Sequence, residues 1–407
     1  MPDNEVKTIF TEQTIQDNSI KHEEPDWLLD RRVRAYEFFK QATMPSRKEE
    51  DWKYIDLTGL DFSKLDPYTN SVGQSIKANH VKGLIFTDIK TAFNEYPELV
   101  KEYIGTVVSP NENKFTALHY ALINSGIFLY VPENTEVTLP ALHSILTSST
   151  SGLFVHSLIV IGKNARLNFL DESMSRFEDK QALHSEVMEI IIKENAKVNI
   201  SSLQSWGLNV WNFATKRALL KENSELNWVF SCFGGKFSRI NVDTVFGGKG
   251  SVSKNLALFL GVGNQNIHIN TNDWHNVPNT TYDILMRGVL MDEASAFYRG
   301  LIKIDKKAPQ TNSMLTEHAL ILGDKASSTS VPSLEIDNND VKAGHAASSG
   351  QVDESQLFYL MSRGLSQKEA ERLIINGFLE PVVRRVEVKE IKDKFEKLIQ
   401  SRVGYYD

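Results

Sequence analysis

The stretch IGKNARL at residues 161–167 recurs in related form elsewhere in the chain. The related stretches are VPENTEV at 131–137, IKENAKV at 192–198 and LKENSEL at 220–226. Their asparagines lie at positions 134, 164, 195 and 223, with steps of 30, 31 and 28 residues. A period near 30 residues indicates a repeat architecture, in which each unit stacks on its neighbours.

Each repeat has the pattern of a strand, a corner and a second strand. An apolar run such as LIVI (158–161) precedes the corner, and apolar and polar residues alternate after it, as in LNF (167–169). Asparagine suits the corner because it enters the left-handed backbone region more easily than most residues. The 3.6-residue period of helical repeats and the fixed leucines of leucine-rich repeats are both missing. Residues 125–340 are therefore predicted to form a mainly β core, a β-solenoid of about seven coils.

The N-terminal third differs from this core in composition. Residues 1–24 are polar and poor in core-forming side chains, and we predict a flexible N-terminal tail. Residues 25–124 are predicted to form a mixed, partly helical domain. Its helices are expected at about 27–43, 90–103 and 114–122.

The pattern changes again after residue 340. Residues 341–407 are predicted to form a C-terminal helical domain, with a first helix beginning near Asp353. Ser366 and Glu369 have the spacing of a capping box at the start of a second helix. Charges of both signs at helical spacing over 386–401 predict a third, solvated helix. Such a helical tail either caps the last coil of a solenoid or docks a partner.

The composition is that of an ordinary globular chain and excludes some classes of function. Of 407 residues, 41% are hydrophobic and 24% are charged, and the formal net charge is −7. This negative charge disfavours binding to nucleic acid or to an anionic membrane. No run approaches the ~20 apolar residues of a transmembrane helix. Because the first residues, MPDNE, lack a signal segment, we expect a cytoplasmic protein.

The single cysteine, Cys232, limits what metal chemistry the chain can do alone. One thiol cannot form an internal disulfide or provide all the thiolate ligands of a zinc site or an iron–sulfur cluster. Its place in the apolar run WVFSCF (228–233) predicts a buried, unreactive side chain. We therefore expect no cofactor on the isolated chain.

Two histidine regions are candidates for a site, and no catalytic signature accompanies them. Asp273 and His275 alternate on a predicted strand and share a face, so they could begin a metal site or form a polar ladder at a coil edge. His345 is surrounded by small residues, so its imidazole could ligate a metal or relay protons; a plain loop is the alternative. The sequence contains no P-loop, HExxH or GxSxG motif. We therefore predict that the chain is not an enzyme.

Three stretches together resemble one family, the SufB/SufD proteins of the SUF iron–sulfur cluster assembly system. They are PSRKEEDWKYIDL at 45–57, VPSLEI at 331–336 with GHAA at 344–347, and QLFYLMSRGLS at 356–366. Their order and spacing cover most of the chain, from about residue 45 to residue 385.

The resemblance is closest to the SufD branch of this family. SufB proteins typically have a cysteine after a Gly-Asp corner, where this chain has Lys325, and some have one at the position of Leu360. SufB also has a His-Glu pair where this chain has His345 and Ala346, although Ala346 departs from the glycine usual in SufD.

This resemblance implies a fold, partners and a site. The fold is a right-handed parallel β-helix between an N-terminal domain and a C-terminal helical domain. The implied partners are a SufB-like protein, which forms a heterodimer through the end of the β-helix, and a SufC-like ABC-type ATPase, which docks on the C-terminal helices. The implied site is His345, which would act with a partner thiolate where a transient iron–sulfur cluster or iron is shared. The expected ATPase-docking residues are Phe358, Tyr359, Arg363, Gly364 and Phe378.

Other functions remain open at this point. The chain could be a SufB-like scaffold that carries a cluster itself, or a β-helix enzyme acting on carbohydrates. The sequence does not decide between a homodimer and a heterodimer, and it does not show whether iron, sulfur or flavin binds directly.

Overall fold

The repeats form a parallel β-solenoid, as the sequence predicts. The structure is a computed structural model that describes residues 10–65, 81–139, 142–146, 152–175, 180–386 and 388–403. Its strands are β1 (Ile85–Asp88), β2 (Ser125–Val131), β3 (Glu136–Thr138), β4 (Leu142–Leu146), β5 (Gly152–Ile161), β6 (Arg166–Ser175), β7 (Ala182–Ile192), β8 (Lys197–Trp206), β9 (Val210–Leu220), β10 (Glu225–Gly234), β11 (Phe237–Phe246), β12 (Val252–Gly261), β13 (Asn266–His275), β14 (Thr281–Leu290), β15 (Ser295–Ile304), β16 (Thr311–Ile321), β17 (Ser327–Ile336) and β18 (Val341–Gln351).

The strands build two sheets that face each other across a common core. The odd sheet has the order β1-β2-β5-β7-β9-β11-β13-β15-β17. The even sheet has the order β18-β16-β14-β12-β10-β8-β6-β3, and β4 pairs with β6 beside β3. All pairs are parallel except β1 with β2. The seven steps from β2 to β17 agree with the predicted number of coils.

The asparagine corners have the predicted left-handed conformation. The φ angles of Asn134, Asn164, Asn195 and Asn223 are 58°, 58°, 58° and 53°. The amides also form a ladder along the rod, because Asn164 Nδ2 donates to Asn134 Oδ1 at 2.8 Å and Asn195 Nδ2 donates to Asn164 Oδ1 at 3.0 Å. Asn134, Asn164 and Asn195 thus stabilise their own turns and also link three successive coils.

The core between the sheets is apolar with a few buried charges. Large side chains such as Trp228 and Phe259 are fully buried there. The ammonium of Lys216 lies 3.0 Å from a carboxylate oxygen of Asp171 and 2.8 Å from one of Glu186. Buried charges are tolerated when they are paired in this way.

The N-terminal domain covers the outer face of the odd sheet. Its helices are α1 (Glu12–Lys21), α2 (Asp26–Gln41), α3 (Ile89–Glu95), α4 (Pro97–Tyr103) and α5 (Lys114–Leu122), with short 3₁₀ turns at Glu50–Trp52 and Phe62–Lys64. Phe115 of α5 stacks on Phe213 of β9, with ring centroids 4.0 Å apart. The bounds of α5 are those expected from the sequence.

Two N-terminal expectations differ from the structure. The predicted tail contains α1, which begins with a Thr11 capping box and buries Ile15, so part of residues 1–24 is ordered by packing; residues 1–9 lie outside the described residues. The helix expected at 90–103 is two helices, because α3 ends at Glu95 and Pro97 starts α4.

The segment PSRKEEDWKYIDL lies across the outer face of the odd sheet. The Trp52 ring lies under the Arg239 guanidinium at 4.1 Å and stacks on Phe115 at 5.3 Å. Tyr54 stacks on Phe297 of β15 at 4.7 Å. This segment therefore ties the N-terminal domain to several coils.

The C-terminal helices are α6 (Glu354–Ser362), α7 (Gln367–Val383) and α8 (Lys389–Val403). Of these helices, α7 and α8 lie on the outer face of the even sheet rather than over the last coil, and α6 packs against α7. Leu379 of α7 and Phe395 of α8 share a buried cluster with Leu258 and Leu285 of the sheet. The Ser366–Glu369 capping box is present, as predicted. None of the helices in the described ranges has the length and apolar character needed to cross a bilayer.

The boundary expected at residue 340 falls before the end of the solenoid. Residues 341–351 form β18, the outermost strand of the even sheet. This stretch is rich in Ala, Gly and Ser, which have little β-propensity, so the strand depends on its pairing with β16.

Candidate functional site

The two ends of the solenoid differ. At the first coil, β1 pairs antiparallel with β2 and the N-terminal helices pack nearby. At the last coil, β17 and β18 are the outermost strands of their sheets within the described residues. Residues along both strands are half-buried or exposed, whereas earlier strands are mostly buried. We call this second end the open end, formed by 327–336 and 341–351.

His345 lies on the open end, on β18. It pairs in register with Leu315 of β16, which is buried in the core between the sheets. Paired residues of parallel strands share a face, so His345 lies on the core-facing side of the last coil. It is exposed because no coil follows it in the described chain. The accessible imidazole predicted from the sequence is therefore confirmed, on a strand rather than a loop.

Two large apolar side chains are exposed at this end. Leu334 and Ile336 of β17 are 39% and 40% exposed, although they occupy core-facing positions of their strand. Exposed apolar side chains beside an unpaired sheet edge are typical of a protein interface.

A second exposed surface lies on α6 and its end. Phe358 is 73% exposed and Tyr359 is 55% exposed, and the Arg363 guanidinium lies 5.1 Å from the Tyr359 ring. Gly364 ends the helix with a φ of 98°, which favours glycine. We call these four residues, with the exposed Met361 and Leu373, the α6 patch.

Phe378 lies apart from the α6 patch. Its ring is 5.0 Å from the Arg287 guanidinium, and its carbonyl accepts a 2.6 Å hydrogen bond from Arg287 Nη1. This expected docking residue is half-buried and takes part in the contact between α7 and the even sheet.

Cys232 is buried, as the sequence predicts. Burial raises the pKa of its thiol to about 12, and a contact with Ser238 offsets this only in part. A thiol with such a pKa is protonated at neutral pH and is a poor nucleophile and metal ligand.

Asp273 and His275 do share a face, but that face is closed inside the solenoid. His275 Nε2 lies 2.9 Å from Asp273 Oδ2, and Ser313 donates to the same oxygen at 2.7 Å. The other imidazole nitrogen of His275 is 2.7 Å from the Thr280 hydroxyl. Burial raises the pKa of Asp273. The arrangement is an internal polar network, and the described ranges contain no group of three or more His, Cys, Asp or Glu side chains placed to hold a metal ion.

Two buried polar groups were not predicted. Glu189 accepts hydrogen bonds from the backbone of Gly105, Val107 and Val108 and so fixes a loop of the N-terminal domain on the odd sheet. Glu317 lies at a core-facing position of β16, one strand below β18. Strand alternation could have identified Glu317, because buried Leu315 and Ala319 flank it at a spacing of two.

Fold and site together define a β-solenoid protein with an uncovered last coil, one accessible imidazole there and a separate apolar helix surface. Comparison with known proteins shows the family to which the chain belongs. Residues 144–378 match the family model described as SUF system FeS cluster assembly, SufBD core domain, and residues 66–141 match the SufBD protein N-terminal region. The chain belongs to the SufBD family, as its resemblance predicted.

The similar proteins agree with this assignment. The chain is 32% identical to the iron-sulfur cluster assembly protein SufD of Bacillus subtilis, over 98% of this chain and 99% of that protein. It is 30% identical to an iron-sulfur cluster assembly SufBD family protein of Staphylococcus saprophyticus, over 93% of this chain and 90% of the relative. A SufBD family protein of Staphylococcus epidermidis is 29% identical over the same shares.

Proposed function

We propose that this chain is a non-catalytic, SufD-like subunit of an iron–sulfur cluster assembly complex. The observation that carries the proposal is an accessible His345 on an uncovered coil, in a chain whose one thiol is buried. Such a chain can donate an imidazole to a cluster but needs thiolates from another chain. We place the complex in the cytoplasm, where thiolates stay reduced.

The open end is the proposed contact with a SufB-like partner. The outer edge of β18 presents backbone groups that pair with no other strand of the described chain. A strand from a partner would extend the even sheet and satisfy these groups, while Leu334 and Ile336 would lose their contact with water. Pairing there would place His345 at the boundary between the two chains.

The α6 patch is the proposed docking site for a SufC-like ATPase. An exposed aromatic pair beside an arginine is the composition that dominates protein interfaces energetically. Because α7 and α8 are anchored on the even sheet, a force applied to these helices would reach the solenoid.

Iron and sulfide are substrates in this proposal, and the chain holds no resident cofactor. His345 would bind iron through a neutral imidazole nitrogen, and the partner would supply thiolate. The alternatives of a SufB-like scaffold and a carbohydrate-active enzyme lack a supporting observation, because Cys232 is buried and the exposed site carries one imidazole.

The test is affinity purification of the full chain from its native cell, followed by reconstitution of cluster delivery with the chains that co-purify. We expect a SufB-like chain and an ABC-type ATPase, and a strong loss of cluster delivery with His345→Ala. His22→Ala removes an exposed histidine at the end of α1, outside both proposed contact surfaces, and should leave delivery unchanged.

Three results would contradict the proposal. They are full delivery by His345→Ala, a stable cluster formed from iron and sulfide on the isolated chain, or purification as a homodimer without other chains.

A further inference from the structure

Glu317 is an acidic side chain in the core directly beneath the open end. It is 1% exposed, and its carboxyl lies near the Ser330 hydroxyl of β17. Burial raises the pKa of Glu317 to about 7, and the Ser330 contact offsets this shift only in part. The atom Oε1 has no hydrogen-bond partner.

What sets Glu317 apart from the other buried acids of the described chain is that no cation or nitrogen donor contacts its carboxyl. Asp171 and Glu186 pair with Lys216, and Asp243 pairs with Arg217 at 2.8 Å. The remaining ones likewise contact nitrogen donors: Glu172 contacts Lys394, Glu189 contacts backbone amides, and Asp273 contacts His275. A buried carboxyl without a cation is costly, so its retention calls for an explanation.

Strand register brings Glu317 close to His345. Leu315 pairs with His345, and Glu317 pairs with Ala347, so the two polar residues lie diagonally on one face of neighbouring strands. With strands ~4.8 Å apart and a rise of ~3.3 Å per residue, their Cα atoms are about 8 Å apart. Both side chains are long enough to meet over the small Ala347.

We propose that Glu317 and His345 are two ligands of one divalent metal ion, ferrous iron, at the mouth of the last coil. A carboxylate oxygen and an imidazole nitrogen are a ligand pair that suits this ion. The remaining coordination positions face the open end, where water, sulfide or a partner thiolate can bind. This inference rests on the proposed function. It adds to His345 a second metal ligand, the buried carboxylate of Glu317.

The test is binding of Co²⁺ alone to the full chain, followed by calorimetry and by visible absorbance, and then repeated with Fe²⁺ without oxygen. We expect one ion per wild-type chain and at least about tenfold weaker binding for both His345→Ala and Glu317→Gln. The double variant should be no weaker than the weaker single variant, because either change dismantles the same site. Glu317→Asp, which keeps a shorter carboxylate, should bind with intermediate affinity.

Glu335→Gln is the matched control, since Glu335 is an exposed carboxylate on β17 that pairs with Lys303. It should bind like the wild type. Thermal unfolding of each variant establishes that it is folded. Wild-type affinity in Glu317→Gln, or no saturable binding by the wild type, would overturn the inference.

The two proposals can fail separately. If the chain co-purifies with its partners and needs His345, yet Glu317→Gln binds metal normally, only the shared site is wrong. If no SufB-like partner is found but both variants lose the ion, the metal site stands and the assembly role is wrong.

Discussion

Four asparagines form corners of the rod in the left-handed backbone conformation, and a side-chain ladder joins three of them. An alanine in the left-handed region costs about 1–2 kcal/mol, whereas glycine enters it freely. Asn195 donates its amide to Asn164, so its side chain also links two coils. Substitutions at Asn195 can therefore separate two contributions to stability, the left-handed backbone conformation and the hydrogen bond to Asn164.

Replacing Asn195 by alanine should lower the free energy of unfolding by about 2 kcal/mol, because both contributions are lost. Asn195→Gly should cost about 1 kcal/mol or less, because only the ladder hydrogen bond is lost. Urea unfolding followed by circular dichroism measures both. Equal losses for the two variants would show that the left-handed conformation does not matter.

His268 makes stability depend on pH. Burial between Phe237 and Phe297, and the nearby Arg239, lower the pKa of His268 to about 3. Between that value and the ordinary pKa near 6.5, the unfolded chain binds a proton that the folded chain does not. The stability contributed by the neutral imidazole is therefore present above pH 6.5 and is lost as the pH falls.

We expect the wild type to lose about 2 kcal/mol at pH 5, relative to pH 7, through His268. His268→Phe retains an aromatic ring but has no titrating group, so its loss over this range should be smaller by that amount. Urea unfolding at the two pH values gives the comparison. The same loss in both proteins would contradict the assigned pKa shift.

At the scale of elements, the C-terminal helices divide into two that are anchored on the even sheet and one that is exposed. Buried side chains of α7 and α8 anchor the C-terminal domain, while α6 buries none of its residues. A helix that contributes little to the core and exposes aromatic side chains is suited to binding.

Phe358→Asp should abolish or strongly weaken binding of the ATPase, because it puts a charge into the proposed apolar contact. The melting temperature should stay within about 2 °C, since Phe358 is 73% exposed. Ile20→Asp, at a 71% exposed position on α1, is the matched control and should bind normally. Calorimetry with the purified ATPase distinguishes these results, and unimpaired binding by Phe358→Asp would move the docking site elsewhere.

Elements differ in how well the sequence predicts them. Asparagine corners and α5 are predictable because turn chemistry and capping act over a few neighbouring residues. Strand β18 is not, because its small residues become a strand only through pairing with β16. The placement of α7 and α8 on a sheet face, rather than over the last coil, depends on apolar side chains distant in sequence.

In the candidate site, too, features set by neighbouring residues are predictable from the sequence, and features set by distant residues are not. The accessibility of His345 was predicted from its small neighbours, which are local. Its relation to Glu317 depends on the register of two strands, and that register is a property of the stacked coils.

At the scale of the whole molecule, the rod is asymmetric. One end has an antiparallel strand and helices beside it, and the other has two outer strands with exposed apolar positions. Natural sheets usually protect such edges, so an unprotected edge that carries the accessible imidazole indicates a surface completed by another chain.

Amide hydrogen exchange on the full chain, with and without the SufB-like partner, tests the central claim most directly. We predict that peptides covering 341–351 become protected on binding, since the outward amides of β18 would gain hydrogen bonds, while peptides of β7 and β9 stay unchanged. Unchanged exchange in 341–351, with protection confined to other parts of the molecule, would contradict the account.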